Sequence, residues 1–436
     1  MKKFTRILLC LVLCVFSVTM FACRDKRTDK EKAFTYPTTG DIHAGFNDGM
    51  AVQKGNYLYF VNGYISSTDN TKHIRYGSYH VGALMLAKFD QNGNLVTKGN
   101  GAIDDQYLIT MSDKLSGFQA TSLFIAGDYL YFTSTCQEDD NNETWAQNRV
   151  DFNRIKLDKT SEVERIYQSE VDHTVGDTSN LEFRFYNTSL IVWEKGTNSD
   201  DKKDVKTSVL YHIDLYSLNK TEVARNVKTA VFGDNDVFYV VDNNLNRLQS
   251  NGTNSNFVGF DSEVKVVDIQ SDYVFAVYNS ELKKYKISTK TDMGTVLLDY
   301  STYDKVVITP DAKVVIAIGD NIIEYFANGS LLADDSFVED EDTDKINFIG
   351  FANGCIVYYD DENTIKTVSY AELSSDINTV IELETMKTSY FDIDGSHLYY
   401  YDTVGSNDYL HRVKLDAVSP EAQLVGSYLQ VDIPTT

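Results

Sequence analysis

Cysteine, proline and tryptophan are all scarce in this chain. Five cysteines occur in 436 residues, and only Cys136 and Cys355 lie beyond residue 23. That excludes a disulfide framework, and the lack of any CxxC or Cys/His cluster argues against structural zinc. Four prolines against 25 glycines leave the turns to Gly, Asn and Asp, which suits a sheet protein. Long amphipathic helical patterns are missing. So are HExxH, P-loop, GxGxxG and GxSxG signatures, and Ser116-Gly117 lacks the flanking glycines of a nucleophile elbow. Positive charge is short as well: 40 Lys and Arg stand against 64 Asp and Glu, a net −24. Such a chain is repelled by polyphosphate, so nucleic acid is excluded as a partner.

The apolar run Ile7 to Phe21 follows Lys2, Lys3 and Arg6. It is shorter than the ~20 residues that span a bilayer and fits the core of a signal peptide. It ends Met20-Phe21-Ala22-Cys23, a small side chain directly before a thiol. The segment resembles a lipobox, with Met20 where Leu is usual and Phe21 where a small residue is usual. Cys10 and Cys14 follow bulky residues and fit less well. The expectation is a lipoprotein signal peptide over 1–22 and lipid attachment at Cys23. A flexible basic tether over 23–40, containing RDKRTDKEK, and a folded domain over 41–436 follow. Loss of the leader takes three positive charges and moves the net charge from −24 to −27.

One pattern recurs along the body: a polar or glycine turn, a short aromatic or β-branched strand, a loop, then an alternating partner strand. The copies include GNYLYF (55–60), GDYLYF (127–132), SDYVFAV (271–277), NGCIVYY (353–359) and GSHLYY (395–400). Partners include LMLAKF (84–89), LYHIDL (210–215), LKKYKI (282–287) and LHRVKL (410–415). Alternation with period 2 marks half-buried strands. The first apolar positions are Leu58, Leu130, Leu190, Val237, Val274, Val314, Ile356 and Leu398, and the last five are 37, 40, 42 and 42 residues apart. That is the length of one four-stranded antiparallel blade. The earlier intervals of 72, 60 and 47 are the same unit with loop insertions. The spacing predicts an all-β fold, a β-propeller of four-stranded antiparallel blades. The count is eight, or seven if the weak copy at Val314 merges with a neighbour.

The pair GDYLYF…NRIKLD, echoed by GSHLYYYD…HRVKLD, resembles the YWTD-type propeller blade. It is also similar to propeller lipoproteins of bacteria with AT-rich genomes. The central Trp-Thr-Asp is absent, and the YWTD type usually has six blades. With two tryptophans, the chain also departs from the eight-bladed assembly lipoprotein built on Trp-rich repeats.

Three insertions carry the recognition chemistry. Residues 61–83 hold Tyr64, His73, Arg75, Tyr76, Tyr79 and His80, a basic-aromatic patch in an acidic chain. Residues 133–152 add Trp145 and Arg149, and 194–208 are polar. Tyr, Trp and Arg dominate interfaces, and loops on rigid scaffolds carry recognition. Each insertion joins the two strands of its unit, so all three are expected at one end of the disc. Two oxygen-rich segments, Glu138 to Glu143 and Asp334 to Asp344, are calcium candidates but lack the glycine-spaced geometry of a calcium loop. No metal site and no cofactor are expected. The expected function is a membrane-anchored, extracytoplasmic, non-catalytic platform that binds or scaffolds a protein, peptide or glycan. The alternatives are a surface polysaccharide hydrolase or lyase, whose paired carboxylates would do acid/base work, and an envelope assembly factor.

Overall fold

The computed structural model describes residues 49–62, 83–97, 103–109, 121–136, 149–158, 161–169, 181–195, 207–318, 322–332, 337–338, 346–371, 377–383, 386–404 and 407–426. They form eight antiparallel sheets, each a meander of consecutive strands. In chain order the blades span 51–109, 121–168, 181–225, 227–259, 264–297, 305–338, 347–382 and 386–424. Seven sheets have four strands. In blade 6 the outer strand is split, and Phe337–Val338 supplies a fifth piece against the third strand. A 3-10 turn at Tyr300–Thr302 links blades 5 and 6.

The eight sequence copies are the second strands of these blades, and their partners are the third strands. Tyr57–Asn62 pairs with Ala83–Lys88, and the same pairing closes with His397–Val404 against Asn407–Lys414. The copy at Val314 is the second strand Val315–Ile318 of a complete sixth blade, so the count is eight. A further strand precedes each copy. These first strands are innermost: those of blades 1 and 2, 4 and 5, 5 and 6, and 7 and 8 touch one another. Close approach there leaves little room. A Cβ on Gly350 of blade 7 would lie 2.9 Å from the Ile393 side chain of blade 8. The turns into the second strands need positive φ, met by Gly55, Gly127 and Gly395 in blades 1, 2 and 8.

The core is not central. It is divided into eight clusters of buried side chains, one at each junction between neighbours. Blades 1 and 2 meet through Tyr59, Val61, Leu123 and Phe132. Blades 2 and 3 meet through Phe124, Phe152, Phe183 and Phe185, with Phe152 and Phe183 edge-to-face at 4.9 Å. The ring closes where Leu58, Phe60, Met85 and Phe89 of blade 1 pack on Tyr399, Tyr401, Leu410 and Val425 of blade 8. Each second strand is sandwiched between two clusters and buried on both faces, as the all-buried Ser189–Glu194 shows.

A repeated nitrogen-bearing side chain crosses these junctions. Arg154, His212, Lys284 and Arg412 occupy the same third-strand position in blades 2, 3, 5 and 8. Arg154 donates to the Leu215 carbonyl at 2.8 Å, and His212 Nε2 lies 3.1 Å from the Ser250 carbonyl. Lys284 donates to the Ala312 carbonyl at 2.6 Å, and Arg412 to the Gly93 carbonyl at 3.2 Å. Every acceptor belongs to the next blade round the ring. The charged heads lie over aromatic faces on the way: Arg154 over Tyr129, Lys284 over Tyr273 and Arg412 over Phe89, at 4.7, 3.9 and 4.8 Å.

Candidate functional site

The connections between second and third strands all emerge at one end of the disc, and they divide it in two. Blades 4 and 5 turn in two residues, Asp242-Asn243 and Asn279-Ser280, with positive φ at Asp242, Asn279 and Ser280. Blades 6, 7 and 8 turn over 319–321, 360–363 and 405–406. Blades 1, 2 and 3 use 63–82, 137–148 and 195–208. The three insertions therefore spring from three consecutive blades at the same end. Tyr64, His73, Arg75, Tyr76, Tyr79, His80 and Trp145 lie outside the described residues, as do Cys23 and the acidic residues of both segments. Arg149 is described: it opens the third strand of blade 2, paired with Cys136.

The foot of the third insertion is built from side chains the sequence did not single out. Trp193 Nε1 donates to Ser208 Oγ at 2.7 Å, tying the start of the connection to its end. Lys195 pairs with Glu182 and lies 4.8 Å over the Trp193 ring. Toward blade 2, the buried Glu194 accepts the Tyr167 hydroxyl at 2.6 Å. The Lys220 ammonium sits over both Tyr167 and Tyr211, at 5.4 and 4.5 Å. Nothing in the sequence links these residues, because the partners come from two blades.

A groove of about 450 Å³ lies on the rim between blades 4 and 5. One wall is the end of the outermost strand of blade 4, Val258 to Asp261. The other is Tyr278, Lys283 and Tyr285 of blade 5, with Lys290 and Asp292 at its lower end. Phe260 packs on Tyr278 at 5.0 Å and edge-on against Tyr285 at 6.0 Å. Tyr278 donates its hydroxyl to Asp261. Lys290 spans the groove to the Asn256 carbonyl at 2.8 Å. Burial, with Asp292 and Tyr278 beside it, pushes the Tyr285 hydroxyl well above the usual tyrosine range, so it stays a neutral donor. A second groove of about 370 Å³ repeats this place between blades 3 and 4, lined by Arg225, Tyr239, Asp242 and Asn244, Asn246 and Asn256.

On the innermost strand of blade 5, burial pushes the Asp268 carboxyl up to about 6. Its hydrogen bonds from the Ile269 amide at 2.7 Å and the Gln270 side chain pull the other way. No second carboxylate contributes to that shift. Among the described residues no three His, Cys, Asp or Glu side chains gather as a metal site, and no helix is long and apolar enough to cross a membrane.

No family model and no curated protein sequence matches the chain. Solved structures do resemble it in shape. A Mycobacterium tuberculosis puromycin-hydrolyzing peptidase superposes with a TM-score of 0.43 at 11% identity, over 72% of this chain and 53% of that one. A Pseudomonas aeruginosa periplasmic gluconolactonase superposes with a TM-score of 0.38 at 12% identity, over 66% and 94%. The chain thus spans about half the length of the peptidase. The fold rests on the strand pairing alone, and neither activity is carried over.

Proposed function

We propose that the chain is an exported lipoprotein, held to a cell membrane through Cys23, whose propeller is a non-catalytic binding or scaffolding platform for a protein, peptide or glycan. The observation that carries this reading is the common origin of residues 63–82, 137–148 and 195–208 on one end of blades 1 to 3. A ring that lengthens its second-to-third-strand connections on one arc, and keeps them at two to four residues in the other five blades, is built as a display. The chemistry of 63–82 favours a protein or peptide, since aromatic and arginine side chains anchor such interfaces. The basic stretch after Cys23 would lie against anionic headgroups, at up to roughly 1 kcal/mol per cation. The likeness to the YWTD type is a likeness of strand pairs, since eight blades stand where six are usual there.

Replacing 63–82 and 137–148 by the two-residue turns of blades 4 and 5, and 196–207 by a short Gly-Ser link that keeps Lys195 and Ser208, tests the platform. The ring should keep its unfolding midpoint, while crosslinking in the native cell should lose the partner that the unaltered chain captures. Retention of that partner would sink the proposal. Mass spectrometry of the mature N-terminus tests the anchor, with a diacylated Cys23 expected. The polysaccharide-cleaving alternative needs two carboxylates flanking one bond, roughly 5–10 Å apart. Asp268 is raised by burial alone, which favours a structural acid over half of such a pair.

A further inference from the structure

The paired grooves flanking blade 4 have a chemistry of their own, separate from the insertions and independent of the platform proposal. We propose that they form a binding site for a neutral oligosaccharide, laid across the outer edge of blade 4. Three features point there. First, the groove between blades 4 and 5 offers aromatic faces from Phe260 and Tyr278, both only partly buried, above the buried Tyr285. Apolar ring faces stack on such surfaces while a hydroxylated rim stays wet.

Second, the polar groups around those rings carry no net sign. Lys283 and Lys290 line one groove together with Asp261 and Asp292, and Arg225, itself paired with Glu222 at 2.6 Å, lines the other with Asp242. An anion or a cation would meet a like charge in either place, at a cost that specific sites exploit to exclude ligands. The surrounding net charge of −24 further repels anions. A neutral polyol meets only donors and acceptors. Asp261 spends one acceptor site on Tyr278 and a carboxylate has about four. The second groove adds the amides of Asn244, Asn246 and Asn256, each both donor and acceptor.

Third, the grooves flank one strand and are linked through Asn256. Asn256 lines the 3–4 groove, and its own carbonyl holds Lys290 at the edge of the 4–5 groove. Repetition of the blade thus sets two equivalent subsites side by side on either flank of the strand Asn254–Gly259. Each volume falls within the ~300–1,000 Å³ of ligand sites. A ligand long enough to cross that strand would engage both.

The test titrates the full chain calorimetrically with cellotetraose, chitotetraose, maltotetraose and mannotetraose, with a tetragalacturonate as the anionic control. At least one neutral sugar should bind and the anion should not. Lys283→Ala, Tyr278→Ala and Asn246→Ala should each weaken binding by about ten-fold or more, and Tyr278→Phe by less. Unfolding midpoints for all four, with the exposed change Lys313→Ala outside both grooves as the control, separate lost contacts from lost fold. The chain with its three insertions replaced should bind the sugar unchanged, so failure of one proposal leaves the other standing. Absence of binding by every neutral sugar, preference for the anion, or indifference to the substitutions in a folded chain would each overturn the site.

Discussion

Asp268 shows how one side chain on an inner strand sets a pH dependence for the whole ring. Its carboxyl is pushed from 3.8 up to about 6 by burial, so between those values the folded chain holds a proton that the unfolded chain has released. Proton excess in the native state makes stability fall as pH rises. The loss should run from about pH 4 to pH 6 and level off above. The shift corresponds to at most ~3 kcal/mol, and partial solvent contact brings the expected effect to ~1–2 kcal/mol. Asp268→Asn keeps the acceptor for the Ile269 amide and removes the charge. It should flatten that slope and stabilise the chain at pH 7, read as urea midpoints at pH 4, 5, 6 and 7. An unchanged slope would show that Asp268 is not the titrating group.

At the scale of the strand, the crossing side chains are the elements' common joint. Arg412 is the informative one, because it is 5% exposed and joins the last blade to the first, also donating to Gln423 at 2.8 Å. Charged hydrogen bonds of this kind contribute ~1.5–3 kcal/mol, and truncation leaves the carbonyl unmet. Arg412→Ala is expected to cost about 2–3 kcal/mol in urea unfolding. Lys313→Ala, an exposed ion pair with Asp311, should stay within ~0.5 kcal/mol. Strands also differed in how visible they were in the sequence. Second strands were legible because burial on both faces makes them short continuous apolar runs behind a polar or glycine turn, and third strands because apolar and polar residues alternate along them. Several first strands were not, because a bulge breaks their period: Lys228, Val267 and Ile349 are unpaired extras in blades 4, 5 and 7. Fourth strands were not, because they sit on the rim, as Lys220–Arg225 and Asn254–Gly259 do, and carry mostly polar residues. The grooves were invisible for a different reason. Their walls come from different blades, so no local motif joins Phe260 to Tyr285 or Arg225 to Asn246.

Over the whole molecule, stability belongs to junctions, and every blade is held by two. The eighth blade cannot be spared. A chain ending at residue 385 would bare Leu58, Phe60, Met85 and Phe89 of blade 1 together with Val357 and Ile365 of blade 7. Such a chain should lose its single cooperative transition and bind a hydrophobic dye, followed by circular dichroism and fluorescence. A sharp, native-like transition in that truncation would show that seven blades suffice. The closure between blades 8 and 1 involves no exchanged strand, since every sheet is made of consecutive segments. That has a consequence in time. During synthesis each blade has its own strands in hand as soon as it emerges, yet the outer face of blade 1 waits for residues up to Val425. From Ile109, the end of blade 1, that is about 316 residues, or roughly 15–60 s at ~5–20 residues per second. Through that interval the growing protein is an open arc with one sticky end, and whatever receives it must guard that end until the last strand arrives.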